Sequence, residues 1–318
     1  MLDLAKESLA LSANNQTKKL VLQNNGALNA IFVKGGEQIF TLKGESSAFW
    51  DAETGEELKN IKLASETNVV LFSPDEKQLL TTESFNSAIK IWDTNTGKLI
   101  KQLTPDRGML HDEIFSPDGQ KILATVYNTA TLWDIASGQK LKELVHDDAV
   151  KKVLFSPDGL SAITESEDGQ VLVWSLANGT VKKRFEHDYI VNDITIDATG
   201  KFLVSSSWGK SAKLWSIETG KLVHQFPHDA SVNYAQFSAR SQFIATASDD
   251  GFAKLWSAQS GELLSSFFHE EKVWRVSFSP NDKYLLTQPS SGSTASIWSA
   301  ESGELIQNFR GQSPNPVM

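Results

Sequence analysis

The chain has 318 residues, is 40% hydrophobic and 22% charged, and carries a formal net charge of −9, the make-up of a water-soluble globular protein. That acidic balance disfavours sequence-independent binding of nucleic acid, which needs basic patches against phosphate, and no apolar run approaches the roughly 20 residues of a membrane span. The absence of cysteine excludes disulfides, thiolate chemistry and cysteine-ligated zinc.

In chain order, residues 1–16 read as a separate N-terminal segment. Within it, residues 2–12 have a weak helical pattern and form either a short helix or an arm. The segment has no basic region followed by an apolar core, so no secretory signal is expected and a cytoplasmic location is. Lys18-Lys19-Leu20-Val21-Leu22 then reads as a strand. From residue 17 to 311 one unit recurs. Trp50, Trp92, Trp133, Trp174, Trp215, Trp256 and Trp298 are spaced by 42, 41, 41, 41, 41 and 42 residues, and each has a glycine five positions on, from Gly55 to Gly303. A fixed period near 41 means one small unit stacked seven times, so the length is one repeat domain rather than two unrelated ones.

Each unit reads as four strands. An apolar strand runs into a turn, as at Phe72-Ser73-Pro74-Asp75, Phe115-Ser116-Pro117-Asp118 and Phe155-Ser156-Pro157-Asp158. Proline presets its backbone angle there and Asp or Gly tolerates the reversal. An alternating second strand, a polar turn and a third strand ending in tryptophan follow, and the glycine opens a fourth. The fourth-strand pattern occurs once more than there are units, because Lys18–Leu22 shows it as well as Glu304–Phe309. The C-terminal copy keeps the glycine turn and is expected to complete the last unit, leaving the N-terminal copy as an extra edge strand or a mobile arm. Residues 312–318, with Pro314 and Pro316, read as a flexible tail.

With Trp50-Asp51, Trp92-Asp93, Trp133-Asp134 and a histidine opening most units, this pattern resembles the WD-repeat (WD40) β-propeller family. The resemblance implies an all-β fold, a seven-bladed β-propeller of four-stranded antiparallel blades. Ser175, Ser216, Ser257 and Ser299 replace the aspartate of the dyad in the last four units. Each register tryptophan is expected to pack between neighbouring blades. The family also implies buried tetrads, His146, Thr164, Asp168 and Trp174 in one blade and His228, Thr246, Asp250 and Trp256 in another. His187 and His269 keep the register, but Gly209 and Gly292 stand where the acid belongs. Histidines repeated once per blade diverge instead of converging on a point, so no metal site is expected. A His-Ser/Thr-Asp group already satisfied by its own members is not expected to catalyse. No cofactor is expected.

Against that register two of the nine tryptophans fall outside: Trp208 and Trp274. Trp208 stands at the turn between second and third strands, with Phe85, Tyr127, Glu167, Asp249 and Ser291 at or near the matching position. Trp274 stands early on a first strand, with His111, Lys151, Asn192 and Asn233 matching it. In the WD-repeat family both positions belong to the top face around the channel mouth. Exposed there, these aromatics amid polar groups would be a binding hot spot; folded down, they would fill gaps in the channel wall. The expected function is a non-catalytic scaffold that binds a protein or peptide on the top face, as a monomeric propeller within a complex. Two readings stay beside it: a ligand-binding or enzymatic propeller with a site at the channel mouth, for which His111 is the lone candidate, and a sensor or targeting subunit of a larger assembly.

Overall fold

A computed structural model describes residues 9–11, 18–21, 29–43, 45–64, 67–83, 86–105, 108–290 and 294–310. Among the described residues the chain is all-β: six antiparallel sheets of four strands and one of six, each holding four strands in the order first-second-third-fourth, the blades of a seven-bladed β-propeller. Blade one comprises Asn29–Val33, Gln38–Lys43, Ser46–Asp51 and Glu57–Lys62. Blade two comprises Thr67–Phe72, Gln78–Glu83, Asn86–Asp93 and Leu99–Leu103, and blade three Leu110–Phe115, Lys121–Val126, Thr129–Asp134 and Lys140–Val145. Blade four comprises Val150–Phe155, Ser161–Ser166, Gln170–Ser175 and Val181–Glu186. Blade five comprises Val191–Ile196, Phe202–Ser207, Ser211–Ser216 and Leu222–Pro227. Blade six comprises Val232–Phe237, Phe243–Ser248, Phe252–Ser257 and Leu263–Phe268, and blade seven Val273–Phe278, Tyr284–Pro289, Thr294–Ser299 and Leu305–Arg310. Compact units divide the chain at residues 1–143 and 144–318.

Local chemistry sets the turns. In the first turn of blade two, Ser73 Oγ donates to Asp75 Oδ1 at 2.8 Å and accepts the Gln78 N–H at 2.9 Å, so one serine closes both ends of the reversal. After most register tryptophans the next residue caps a tight loop. Asp51 Oδ1 accepts the N–H groups of Glu53 and Thr54 at 3.0 and 2.8 Å. Ser257 Oγ and Ser299 Oγ each accept one N–H, from Ser260 and Ser302, at 3.1 Å. A serine oxygen reaches the same loop donor, which is why Asp-to-Ser drift leaves the turn intact. The glycine closes the loop in the left-handed region, Gly261 at φ 76°, where a side chain is strained.

Five register tryptophans pack onto the preceding blade within their own unit. In residues 144–318, Trp215 meets Phe185, Trp256 meets Phe226 and Trp298 meets Phe267, with ring centroids 5.4, 5.3 and 5.0 Å apart. In residues 1–143, Trp92 packs on the core of blade one and Trp133 on that of blade two.

The chain ends depart in part from the sequence reading. Leu305–Arg310 completes blade seven. Lys18–Val21 is an extra strand added at a sheet edge and not a fourth strand: it pairs antiparallel with the first strand of blade two, Leu20 opposite Val70. Leu9–Leu11 is a strand on its other side rather than part of a helix. Every fourth-strand position is already filled from within its own repeat, whereas the first strand of blade two has an open edge whose N–H and C=O groups need partners. Residues 1–8, 12–17 and the tail from 311 lie outside the described residues.

Candidate partner-binding surface

Beneath the surface lie the histidine groups. In blade six, Trp256 Nε1–H donates to Thr246 Oγ1 at 2.9 Å, His228 Nε2 lies 2.7 Å from the same oxygen, and His228 Nδ1 lies 2.8 Å from Asp250 Oδ2. The chemistry selects one direction. Nδ1–H donates to the carboxylate, and Nε2 accepts the threonine O–H. Asp250 also accepts the N–H groups of Asp229 and Phe252, at 3.0 and 2.9 Å. Burial opposes the charge on Asp250, but these bonds and His228 hold its carboxyl below the ordinary range. Blade four repeats the arrangement with Trp174, Thr164, His146 and Asp168, at 2.8, 2.6 and 3.1 Å along the chain. Burial lowers the pKa of both histidines against the pull of their aspartates. Neither group presents a free nucleophile.

Blade five departs from this. Trp215 Nε1–H and His187 Nε2 meet Ser205 Oγ at 2.9 and 2.8 Å, but His187 Nδ1 is buried with no hydrogen-bond partner. Burial pushes its pKa down to about 4, so the ring is neutral at pH 7. Gly209 holds the acid position, and a Cβ there would come within 2.8 Å of the Tyr189 ring. The tyrosine takes the space an aspartate would need. In blade seven, His269 Nε2 is likewise buried without a partner, and Gly292 lies outside the described residues.

Above these groups the turn between second and third strands folds back onto the residues before the first strand. The N–H groups of Glu167, Trp208, Asp249 and Ser290 donate to the carbonyls of Ala149, Ile190, Ser231 and Lys272 at 2.9, 3.1, 2.9 and 2.8 Å. Ser290 makes this bond in blade seven, and Ser291 lies outside the described residues. Counting from the tryptophan slips there, because Trp298 bonds to a threonine 11 residues upstream whereas Trp256 bonds to one 10 upstream.

These bonds bring the turn and first-strand positions of residues 144–318 into one row. Lys151 pairs with Glu167 at 3.1 Å. Asn192 Nδ2 donates to Val232 O at 2.8 Å, tying blade five to blade six. Asn233 Nδ2 reaches both Asp249 Oδ1 at 2.7 Å and Val273 O at 3.0 Å, tying blade six to blade seven. Lys272 Nζ closes on Asp249 Oδ2 at 2.5 Å. The polar groups of the row are therefore engaged with one another. Trp208 and Trp274 are not folded down: they are 58% and 63% exposed.

Two neighbours of Trp208 join it that a count of tryptophans alone does not find. Tyr189 is 59% exposed and Ile190 is exposed beside it. The signal was present, since Asp148, Ala230 and Glu271 hold the place of Tyr189 in the other repeats of this half. In residues 1–143, Tyr127 is 61% exposed in the tight turn of blade three, at φ 51°, and His111 is half-buried on the first strand of that blade. Phe85 lies outside the described residues.

Buried charge lies on the inner strands of blades four and five. Lys152 stands opposite Glu165 in the strand ladder and forms an ion pair with Asp193. Burial, then the Asp193 charge, pushes the Glu165 carboxyl up to about 8. Burial also raises Asp193, against the attraction of Lys152. Among the described residues no group of three or more His, Asp or Glu is placed to hold a metal, and no helix is long and apolar enough to cross a membrane.

The family model described as "WD domain, G-beta repeat" matches residues 64–93, 138–175, 179–216, 220–257 and 261–299, more than half of the chain. The chain belongs to the WD40 family. WD40 repeats generally mediate protein–protein interaction, and WD40 propellers are typically non-catalytic scaffolds. The crystal structure of the computationally designed Ika8 protein is similar, with a TM-score of 0.76 over 92% of this chain and 89% of that one. At 21% identity this likeness speaks to the fold alone. No curated protein matches the chain.

Proposed function

We propose that this WD40 protein is a non-catalytic scaffold and that the Trp208–Trp274 row of residues 144–318 docks a segment of a partner protein. The observation that carries this reading is the contrast within the row. Its charges and amides are satisfied internally, while two indoles with Tyr189 and Ile190 remain in solvent. Large aromatics standing over an ordered polar floor contribute most of the energy where they occur in interfaces. The favoured ligand carries apolar or aromatic side chains, because a charged one would have to break Lys151–Glu167 or Asp249–Lys272 to gain a partner.

The test is to select ligands from a random peptide library on the wild-type protein and measure their affinity for a Trp208→Ala, Trp274→Ala double variant. A loss of at least about 30-fold is expected, since hot-spot truncations cost roughly 2 kcal/mol or more each. Little change is expected between low and high salt, because the exposed contacts are uncharged. Equal affinity for the two proteins would refute the reading.

A further inference from the structure

Each fourth strand ends its sheet, and its outer N–H and C=O groups form an open edge. Such edges recruit foreign strands unless charge, proline or a cover defends them. Most are defended here. Val181–Glu186 reads VKKRFE, Lys140–Val145 reads KLKELV, and Leu222–Pro227 ends on proline. Among the described fourth strands, Leu263–Phe268 of blade six alone has no charged residue, histidine or proline; it reads LLSSFF. On its inner face Phe267 is in the core and Ser265 lies against the Gly303 turn of blade seven, with Leu263 48% exposed at the start of the strand. Its outer face is open, with Leu264 47% and Phe268 62% exposed. Phe268 leans on Phe252 with ring centroids 5.3 Å apart, which widens the apolar shelf. Lys254, opposite Ser266 in the ladder, does not guard the edge, because its ammonium is held by Pro227 O at 3.0 Å. Exposed acids flank the strand, Glu262 before it and Glu270 and Glu271 after it.

We infer that this edge takes an extended segment of a partner protein as an added strand, with small apolar side chains alternating on Leu264 and Phe268 and Lys or Arg at both ends facing the acids. The backbone ladder supplies affinity and the shelf and flanking charge supply selectivity. A second copy of the chain is a poor occupant. Antiparallel pairing of two such strands sets Glu262 of one against Glu270 of the other, and like charges opposed across a ladder destabilise it.

The experiment uses the full chain and a labelled ten-residue peptide, three Val-Thr pairs between Lys-Lys ends. Affinity is read by fluorescence anisotropy, and the site by amide hydrogen exchange. The expected result is binding with new protection at residues 263–268. Binding falls at least tenfold for a Leu264→Lys, Phe268→Lys double variant of unchanged Tm, and at least tenfold for a peptide with Glu-Glu ends. The Trp208→Ala, Trp274→Ala variant binds this peptide as wild type does, which separates the edge from the aromatic row. No binding, equal affinity for the lysine variant, or protection at 263–268 that rises with protein concentration in the absence of peptide would each overturn the inference.

Discussion

A hydroxyl beneath an indole recurs from blade to blade. Thr41, Thr81, Thr164, Ser205, Thr246 and Thr287 each accept the N–H of their register tryptophan at 2.8 to 3.0 Å. Blade three has Ala124 at this place, one ladder pair beyond Leu123–Leu132 from Ile122–Trp133, and Trp133 Nε1 is buried without a partner. An unmade buried hydrogen bond carries the full desolvation cost of the group. Ala124→Ser is therefore expected to stabilise the protein by about 1 kcal/mol, seen as a higher denaturation midpoint at unchanged m-value. Serine is sufficient because Ser205 performs the same role in blade five. A lower midpoint would mean that the tightly packed site, with Ala124 only 2% exposed, has no room for the oxygen. The alanine is plain in the sequence, but its significance depends on knowing which second-strand residue lies beneath the ring.

At the level of the blade, His228 and Asp250 link the loop before the first strand to the turn before the third. Asp250→Ala removes the acceptor for the His228 Nδ1–H and for two backbone N–H groups, and is expected to cost roughly 1–3 kcal/mol. The melting temperature should fall, while peptides selected on the Trp208–Trp274 row should keep their affinity. Loss of that affinity at unchanged melting temperature would make Asp250 part of the docking surface. Blade five shows why repeat counting is incomplete here. The missing acid is legible as Gly209, but the ring of Tyr189 that replaces it reaches in from a loop some twenty residues earlier in the chain. No spacing rule marks that contact.

For the molecule as a unit of stability, Glu165 gives a measurable pH dependence. Its carboxyl is raised from 4.5 to about 8, so between those values the folded state holds a proton that the unfolded state has released. Stability is then fully present below about pH 4.5, declines as pH rises towards 8 and levels off above. Glu165→Gln, which keeps the neutral shape, should abolish this decline. Thermal melts of the two proteins from pH 5 to 9 should diverge, with wild type the less stable on the alkaline side. Parallel curves would show that the buried carboxyl ionises freely.

The sequence by itself determined the repeat number, the four-strand make-up of each unit and the two tryptophans outside the register, and its resemblance to the WD40 family implied the propeller and the residues of the two complete histidine groups. The repeat, its strands and the two exceptions are recorded in local spacing, because each strand and turn is specified by residues near it in the chain and the same unit is written seven times. Only the tertiary structure decided where the N-terminal strands pair, that Ser290 ties the turn of blade seven to Lys272, that Trp208 and Trp274 face solvent, and that the charges around them are already engaged. Those outcomes depend on which residues distant in sequence compete for one backbone edge or one patch of space. Periodicity along the chain carries no record of that competition.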